Sequence, residues 1–364
     1  MFAGIYRGRR VLVTGHTGFK GSWLALWLTE LGARVAGYSD RVPTTPAHFD
    51  VLGLAGRIDH HIGDVRDRTA LAKVFDAVQP EIVFHLAAQS LVRVSYADPA
   101  ATFETNVMGT VNVLECARTS ASVQAVVVIT SDKCYRNVEW VWGYRETDTL
   151  GGHDPYSGSK GAAELAAFAY YHSFFAGADA ARMATARAGN VIGGGDWAAD
   201  RIVPDCVRAW ASGEVVSVRS PHATRPWQHV LEPLSGYLNL GAALWRRHRP
   251  AVGSAYNFGP EAMVTQSVGE LIEALRQRWP GARWESTPQD TARPEARLLR
   301  LSCDKALAEL DWHAVLTFNE CMTMTGDWYR QYYADATQAA ALSTAQVSEY
   351  VTLARRRGLA WAAE

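Results

Sequence analysis

Tyr156 and Lys160 stand four residues apart in the string Tyr156-Ser157-Gly158-Ser159-Lys160. On a helix that spacing puts both side chains on one face. A lysine cation beside a phenol stabilises the phenolate and lowers the tyrosine pKa toward working pH. Tyr156 is then a base for a hydroxyl that loses hydride to a neighbouring acceptor. Upstream, Ser131, Asp132 and Lys133 follow the apolar run Ala125–Thr130. A serine there can bond the same hydroxyl as Tyr156, and the adjacent Asp and Lys make a second acid–base pair. Simple alcohol oxidation needs no such pair. Its bland reading is a solvated turn at a strand end.

A hydride acceptor has its own signature. Gly15-His16-Thr17-Gly18-Phe19-Lys20-Gly21 lies between an apolar strand and a helix. Glycine there permits a tight turn, close approach to a pyrophosphate and helix–sheet packing, while the helix N-terminus offers N–H groups to phosphate. Gly15, Thr17, Gly18, Phe19, Lys20 and Gly21 are therefore candidate dinucleotide contacts. Asp40 follows the second strand at the separation expected for an acid on the adenosine ribose, which favours NAD. Its neighbour Arg41 is the competing signal, since a guanidinium there neutralises the 2′-phosphate of NADP. Asp64 and Val65 end a further strand, where an acid can meet the adenine amino group. Leu86, Ala87, Ala88 and Gln89 end another, where small residues let the dinucleotide lie close.

The elements that must position these groups alternate between strand and helix. Val11–Thr14, Arg34–Tyr38, Ile82–Leu86 and Ala125–Thr130 read as buried strands. Trp23–Leu31, Thr69–Val78 and Phe103–Thr119 read as helices. Strands that are apolar throughout imply a parallel sheet covered on both faces, with ligands at its carboxyl edge. The fold class is α/β, a Rossmann-type doubly wound sheet with a smaller C-terminal substrate-binding lobe. Residues 1–190 form the dinucleotide domain, 191–334 mainly the lobe with some segments returning to the sheet, and 335–364 a helical tail. Ser343 or Thr344 is the expected cap of a last helix running through Arg355.

Composition excludes other classes. The 364 residues carry a formal charge of −1 and are 48% hydrophobic, with no basic stripe for nucleic acid. Five cysteines, Cys116, Cys134, Cys206, Cys303 and Cys321, lack zinc-knuckle or CxxC spacing and read as reduced structural thiols, with no metal site expected. Met1–Arg10 shows no signal-peptide pattern and no apolar run reaches membrane-spanning length, so a soluble cytoplasmic protein is expected.

Seven strings together carry a family resemblance: GHTGFKGSWL (15–24), SDKCY (131–135), EWVWGYRE (139–146), DPYSGSK (154–160), AGNVIGGGD (188–196), RIVPD (201–205) and RPWQHVLEPL (225–234). From about residue 8 to 330 the chain resembles the CDP-D-glucose 4,6-dehydratases of the extended short-chain dehydrogenase/reductase superfamily. Most sugar 4,6-dehydratases carry Asp-Glu where this chain has Asp132-Lys133, and the lysine marks the CDP-glucose branch. The resemblance implies a tightly bound NAD recycled at each turnover and a reaction without net redox. Tyr156 takes the C4 hydroxyl proton as hydride leaves C4, Lys133 removes the C5 proton, and Asp132 protonates the departing C6 hydroxyl. Hydride then returns to C6, giving a 4-keto-6-deoxy sugar for deoxysugar and surface-polysaccharide synthesis. Lys133 must be neutral for this, and a tight ion pair with Asp132 would defeat it.

By the same resemblance Asn106 shapes the site, and Asn190, Gln89, Ser131, Arg201, Arg225 and Arg293 are candidates for the nucleotide sugar. Trp140, Trp142 and Trp227 read first as core packing, with stacking on base or sugar as the alternative. At least a homodimer is implied, or a homotetramer, through helix Phe103–Thr119 and the helix carrying Tyr156 and Lys160. Rival readings are a 4,6-dehydratase for another nucleotide-linked hexose, a 4-epimerase or a decarboxylase. A non-catalytic dinucleotide sensor is a further rival. Epimerases need no Asp–Lys pair, and sensors typically lose the Tyr or Lys that this chain retains.

Overall fold

The computed structural model describes residues 1–261, 266–287 and 298–363. Through residue 188 the order is β1 (Arg10–Thr14), α1 (Phe19–Glu30), β2 (Arg34–Ser39), α2 (His48–Val51), β3 (Asp59–Ile62), α3 (Arg68–Val78), β4 (Ile82–His85), α4 (Val92–Ala97), α5 (Pro99–Phe103), α6 (Gly109–Thr119), β5 (Ala125–Ile129), α7 (Pro155–Tyr170) and β6 (Arg182–Ala188). These six strands lie parallel in the order 3-2-1-4-5-6, and a seventh, Ala255–Phe258, adds in parallel beside β6. The order reverses between β1 and β4, and in such sheets the crevice at that switch point takes the dinucleotide.

Alternation along the strands explains the two-sided core. Val11, Val13, Phe84 and Val127 face one layer with Trp23, Trp27 and Leu234, and Leu12, Val83, Val126 and Val128 face the other with Leu71, Phe75 and Leu114. Burial of both faces is why these strands read as continuous apolar runs.

Several boundaries differ from the sequence expectation. Helix α1 begins at Phe19, four residues before Trp23, because Gly18 supplies an extended N-cap directly after the glycine turn. The helix expected over Phe103–Thr119 is interrupted: Glu104–Met108 form a π turn between α5 and α6. Such turns cluster at functional sites because the extra residue redirects a side chain. Here it carries Asn106, which is 1% exposed.

Beyond β6 the elements are short until helix Leu231–Trp245, which returns to pack on β5 and β6. Helix Phe318–Ala334 starts with a full capping box between Thr317 and Glu320. The last helix spans Ala339–Arg356, so neither Ser343 nor Thr344 caps it. Ser343 instead lies buried inside, where its hydroxyl receives Trp328 Nε1 at 3.0 Å and meets His48 Nε2 at 3.1 Å. These contacts tie the tail to α2. All five cysteines are unpaired. Among the described residues, no helix is long and apolar enough to cross a membrane.

Candidate active site

The glycine turn sits at the switch point and is shaped for close approach. Gly15 has φ +77°, and a Cβ there would lie 2.7 Å from Ala87 N, so the turns after β1 and β4 touch backbone to backbone. A Cβ on Gly21 would collide with Gly15 O, which fixes α1 against the turn. No side chain caps α1. Its first N–H groups are left for an anion, and the helix dipole favours one there. The cradle therefore fits a dinucleotide diphosphate.

Around it the predicted contacts take definite places. Thr17 Oγ1 donates to Arg41 O at 2.6 Å, closing the turn against the end of β2. Asp40 lies just past β2, exposed, 3.7 Å from the Arg41 guanidinium. Asp64 and Val65 follow β3 by two residues rather than ending it. Arg66 grips Asp64 through its side chain at 2.6 and 2.9 Å and its backbone N–H at 2.8 Å, holding the carboxyl below the usual range. Leu86, Ala87, Ala88 and Gln89 follow β4 in the same crevice.

The catalytic candidates come from the segment after β5 and from α7. Helix α7 starts at Pro155 because Asp154 caps it, accepting from Ser157 N at 2.9 Å and Ser157 Oγ at 2.6 Å. Tyr156 N donates to Ser95 Oγ of α4 at 3.2 Å, and Tyr156 is 7% exposed. Burial raises the Tyr156 pKa above the ordinary tyrosine value; Lys133, the Ser131 hydroxyl and Arg201 pull it down, and Asp132 pushes it up. Spacing assigned the lowering to Lys160. The structure gives the leading part among the lowering groups to Lys133, and burial outweighs them all. Lys160 is itself buried, its pKa held down to about 8 by desolvation against the pull of Glu164.

Ser131 accepts from Lys133 N at 3.2 Å and donates to Asp132 Oδ1 at 2.9 Å. Asp132 is 1% exposed and its Oδ2 has no hydrogen-bond partner among the described residues. A Cβ on Gly189 would strike that oxygen, so the glycine after β6 makes room for the carboxyl. Lys133 Nζ stands 3.5 Å from Asp132 Oδ1, a single long contact rather than a bidentate clamp.

Other candidates divide. Arg201 is held by Asp196 at 2.9 Å and lies where its charge acts on Tyr156 and on Lys20. Asn190 follows β6 with a buried Oδ1 that has no partner among the described residues. Arg225 forms a short strand with Thr224, antiparallel to Gln266–Ser267. Arg293 lies outside the described residues. Two candidates are bound within the protein. Gln89 holds Thr102 Oγ1 and the backbone of Leu91 through its amide. Asn106 pairs its oxygen with Gln89 N at 2.8 Å and its nitrogen with Gln89 O and Ser159 Oγ at 3.0 and 2.8 Å. Its amide thus ties the loop after β4 to α7. Of the tryptophans, Trp227 is buried and Trp140 stacks on Tyr144, but Trp142 is 68% exposed and is not core.

Sequence reasoning missed the support beneath Lys160. Glu164, one turn on, accepts from Thr130 Oγ1, from Thr185 Oγ1 at 2.8 Å and from Arg187 at 2.9 and 2.8 Å. Arg187 also donates to Tyr135 OH at 2.7 Å. The signal was present as an acid on the buried face of a helix and an arginine inside an apolar strand. His85, bonded to Thr14 at 2.7 Å and Thr110 at 3.0 Å, was missed too.

A parallel 3-2-1-4-5-6 sheet with this glycine turn and a Ser–Tyr–Lys group at its carboxyl edge is the arrangement of a short-chain dehydrogenase/reductase. The family model described as GDP-mannose 4,6 dehydratase matches residues 12–325, and the chain belongs to that family. It is 44% identical over 360 residues to a CDP-glucose 4,6-dehydratase of Salmonella typhimurium, covering 96% of this chain and 98% of the relative. Among solved structures, MoeE5 in complex with UDP-glucuronic acid and NAD superposes with a TM-score of 0.72 at 27% identity, covering 88% of this chain and 99% of that one. A dTDP-glucose 4,6-dehydratase from Bacillus anthracis, in complex with NAD, gives 0.72 at 22% identity over 88% and 96%.

Proposed function

We propose that this protein dehydrates CDP-glucose to its 4-keto-6-deoxy form, with NAD as resident cofactor. The observation that carries this reading is that Ser131, Asp132 and Lys133, bonded to one another after β5, act on the Tyr156 phenol of α7. Support for the substrate comes from the 44% relative, and for the cofactor from the glycine cradle and the MoeE5 complex. When bound, the dinucleotide accepts hydride from the sugar and later gives it back. Tyr156, with Ser131 on the same hydroxyl, takes the C4 hydroxyl proton. The resulting ketone acidifies C5–H, which Lys133 removes. Its amine makes one long contact with Asp132 at 3.5 Å. Asp132, buried with one oxygen unpartnered, gives its proton to the departing C6 hydroxyl.

Residues 191–334 supply the sugar-nucleotide grip, with Arg201, Arg225 and Arg293 as its polar contacts beside Asn190 at the end of the dinucleotide domain; the helix Leu231–Trp245 and the strand Ala255–Phe258 serve the sheet. The 335–364 tail braces α1 and α2. A second copy of the chain covers Phe103, Met108, Leu165 and Phe168, large apolar side chains exposed at 40–61% near the α5–α6 junction and on α7. The expected setting is cytoplasmic.

The test is incubation with CDP-, dTDP-, UDP- and GDP-linked hexoses, read by mass spectrometry for loss of water. Water loss from CDP-glucose that disappears in Lys133→Ala supports both reaction and base. Hydroxyl inversion or carbon dioxide release with no water loss overturns the reading.

A further inference from the structure

The single turn Asp132–Cys134 carries both groups read above as the acid and the base of the elimination. Among the described residues the Lys133 amine makes one polar contact, the long one to Asp132. A contact of that length does not fix the tip of the side chain, so its place is set by the backbone of the turn. On one side that backbone is held by Ser131 Oγ, which accepts from Lys133 N. On the other side the chain leaves the turn at Tyr135.

Tyr135 is 1% exposed, and its hydroxyl is bonded on both counts. It donates to Asn257 Oδ1 at 2.8 Å and accepts from Arg187 Nη1 at 2.7 Å. Both partners are themselves fixed. The Asn257 amide nitrogen donates to Tyr144 O at 2.8 Å and to Ser302 O at 3.0 Å. Arg187 is clamped on Glu164 by two bonds. Burial keeps the Tyr135 pKa far above the ordinary tyrosine value, so the phenol stays a neutral donor. Tyr144 stacks on its ring with centroids 5.2 Å apart. A buried network with every member satisfied holds its side chains in one arrangement.

The groups on α7 have other supports. Asp154 caps that helix, and Tyr156 N is bonded to Ser95 Oγ. The Tyr135 hydroxyl reaches α7 through Arg187 and Glu164, with no bond of its own to Tyr156 or Lys160 among the described residues. Losing that hydroxyl leaves the hydride-transfer pair in place and loosens the elimination pair.

We infer that Tyr135 is a positioning residue for the elimination step: its hydroxyl, fixed between Arg187 and Asn257, holds the turn from which Asp132 and Lys133 act. The assignment rests on the dehydratase reading.

The test compares wild type, Tyr135→Phe and Tyr144→Phe, each loaded with NAD and mixed rapidly with CDP-glucose. Reduced-nicotinamide absorbance follows hydride transfer, mass spectrometry follows water loss, and thermal unfolding checks the fold. Tyr144→Phe removes a hydroxyl from the same stack, one bonded to Val138 N and Asn137 Oδ1, and should match wild type. In Tyr135→Phe the reduced nicotinamide should appear at the wild-type rate and then persist, because water loss falls at least about tenfold. Water loss at the wild-type rate in Tyr135→Phe overturns the inference. So does equal slowing of both steps, or the same slowing in Tyr144→Phe, since either would mean a general loosening. A Tyr135→Phe protein that does not fold makes the hydroxyl a support of the whole fold and equally overturns it. If wild type itself releases no water, the dehydratase reading fails and Tyr135 falls with it; unimpaired loss in Tyr135→Phe removes the part of Tyr135 alone.

Discussion

Asn106 donates from Nδ2 to Ser159 Oγ at 2.8 Å while its Oδ1 accepts from Gln89 N, so one buried amide locks the loop after β4 to the helix bearing Tyr156. Ser159 Oγ in turn donates to Tyr156 O at 2.7 Å. The π turn Glu104–Met108 aims that amide inward. Replacing Asn106 with Ala strands the half-buried Gln89 N and O and removes the buried bond to Ser159 Oγ. We expect about 1–3 kcal/mol of lost stability, with kcat reduced more than KM. Denaturant unfolding and steady-state kinetics check this; an unchanged kcat would show that the lock is not needed for chemistry.

Ser131 is one of the groups that pull the Tyr156 pKa down against burial. Removing it in Ser131→Ala raises that pKa further, so less phenolate is present at neutral pH. The acid limb of the kcat/KM profile should move to higher pH, with activity partly recovered in alkaline buffer. Tyr156→Phe should lose roughly 10²–10⁴-fold and show no such recovery. A pH profile for Ser131→Ala that superposes on wild type contradicts the assignment.

Glu164 and Arg187 form an ion pair with side chains 3% and 4% exposed. Breaking such a pair strands a buried charge, so Arg187→Met should cost about 3–5 kcal/mol. Changing both partners to apolar residues of similar size should cost less than either single change. Unfolding curves for the three variants decide the point, and additive losses would argue against a coupled pair.

Four buried histidines, His16, His48, His85 and His229, have pKa values lowered by desolvation to about 3 from an unfolded value of 6.5, with His60 adding to the effect on His16. Below 6.5 the unfolded chain therefore binds protons that the folded chain refuses. Their stabilisation is complete above that pH and is lost as pH falls toward 3, by about 1.4 kcal/mol per histidine per unit. Denaturant midpoints should drop steeply between roughly pH 7 and pH 5. The drop should be shallower in His48→Gln; equal slopes would remove His48 from the account.

The parts legible in the sequence were those set by neighbours along the chain. Apolar runs such as Ala125–Ile129 marked strands because both faces of a parallel sheet are covered. Gly15 and Gly21 marked a turn that tolerates no Cβ at either place, and the Tyr156–Lys160 spacing follows from the helical repeat.

What only the tertiary structure decided depends on groups far apart in sequence. Arg201 reaches Tyr156 across 45 residues, and Arg187 reaches Glu164 across 23, because β6 and the loop beyond it fold back over α7. The π turn at Asn106 reflects partners on β4's loop and α7, which no helical periodicity encodes. Ser343 looked like a helix cap and became a buried acceptor for Trp328, since packing against α2 extended the last helix backward to Ala339.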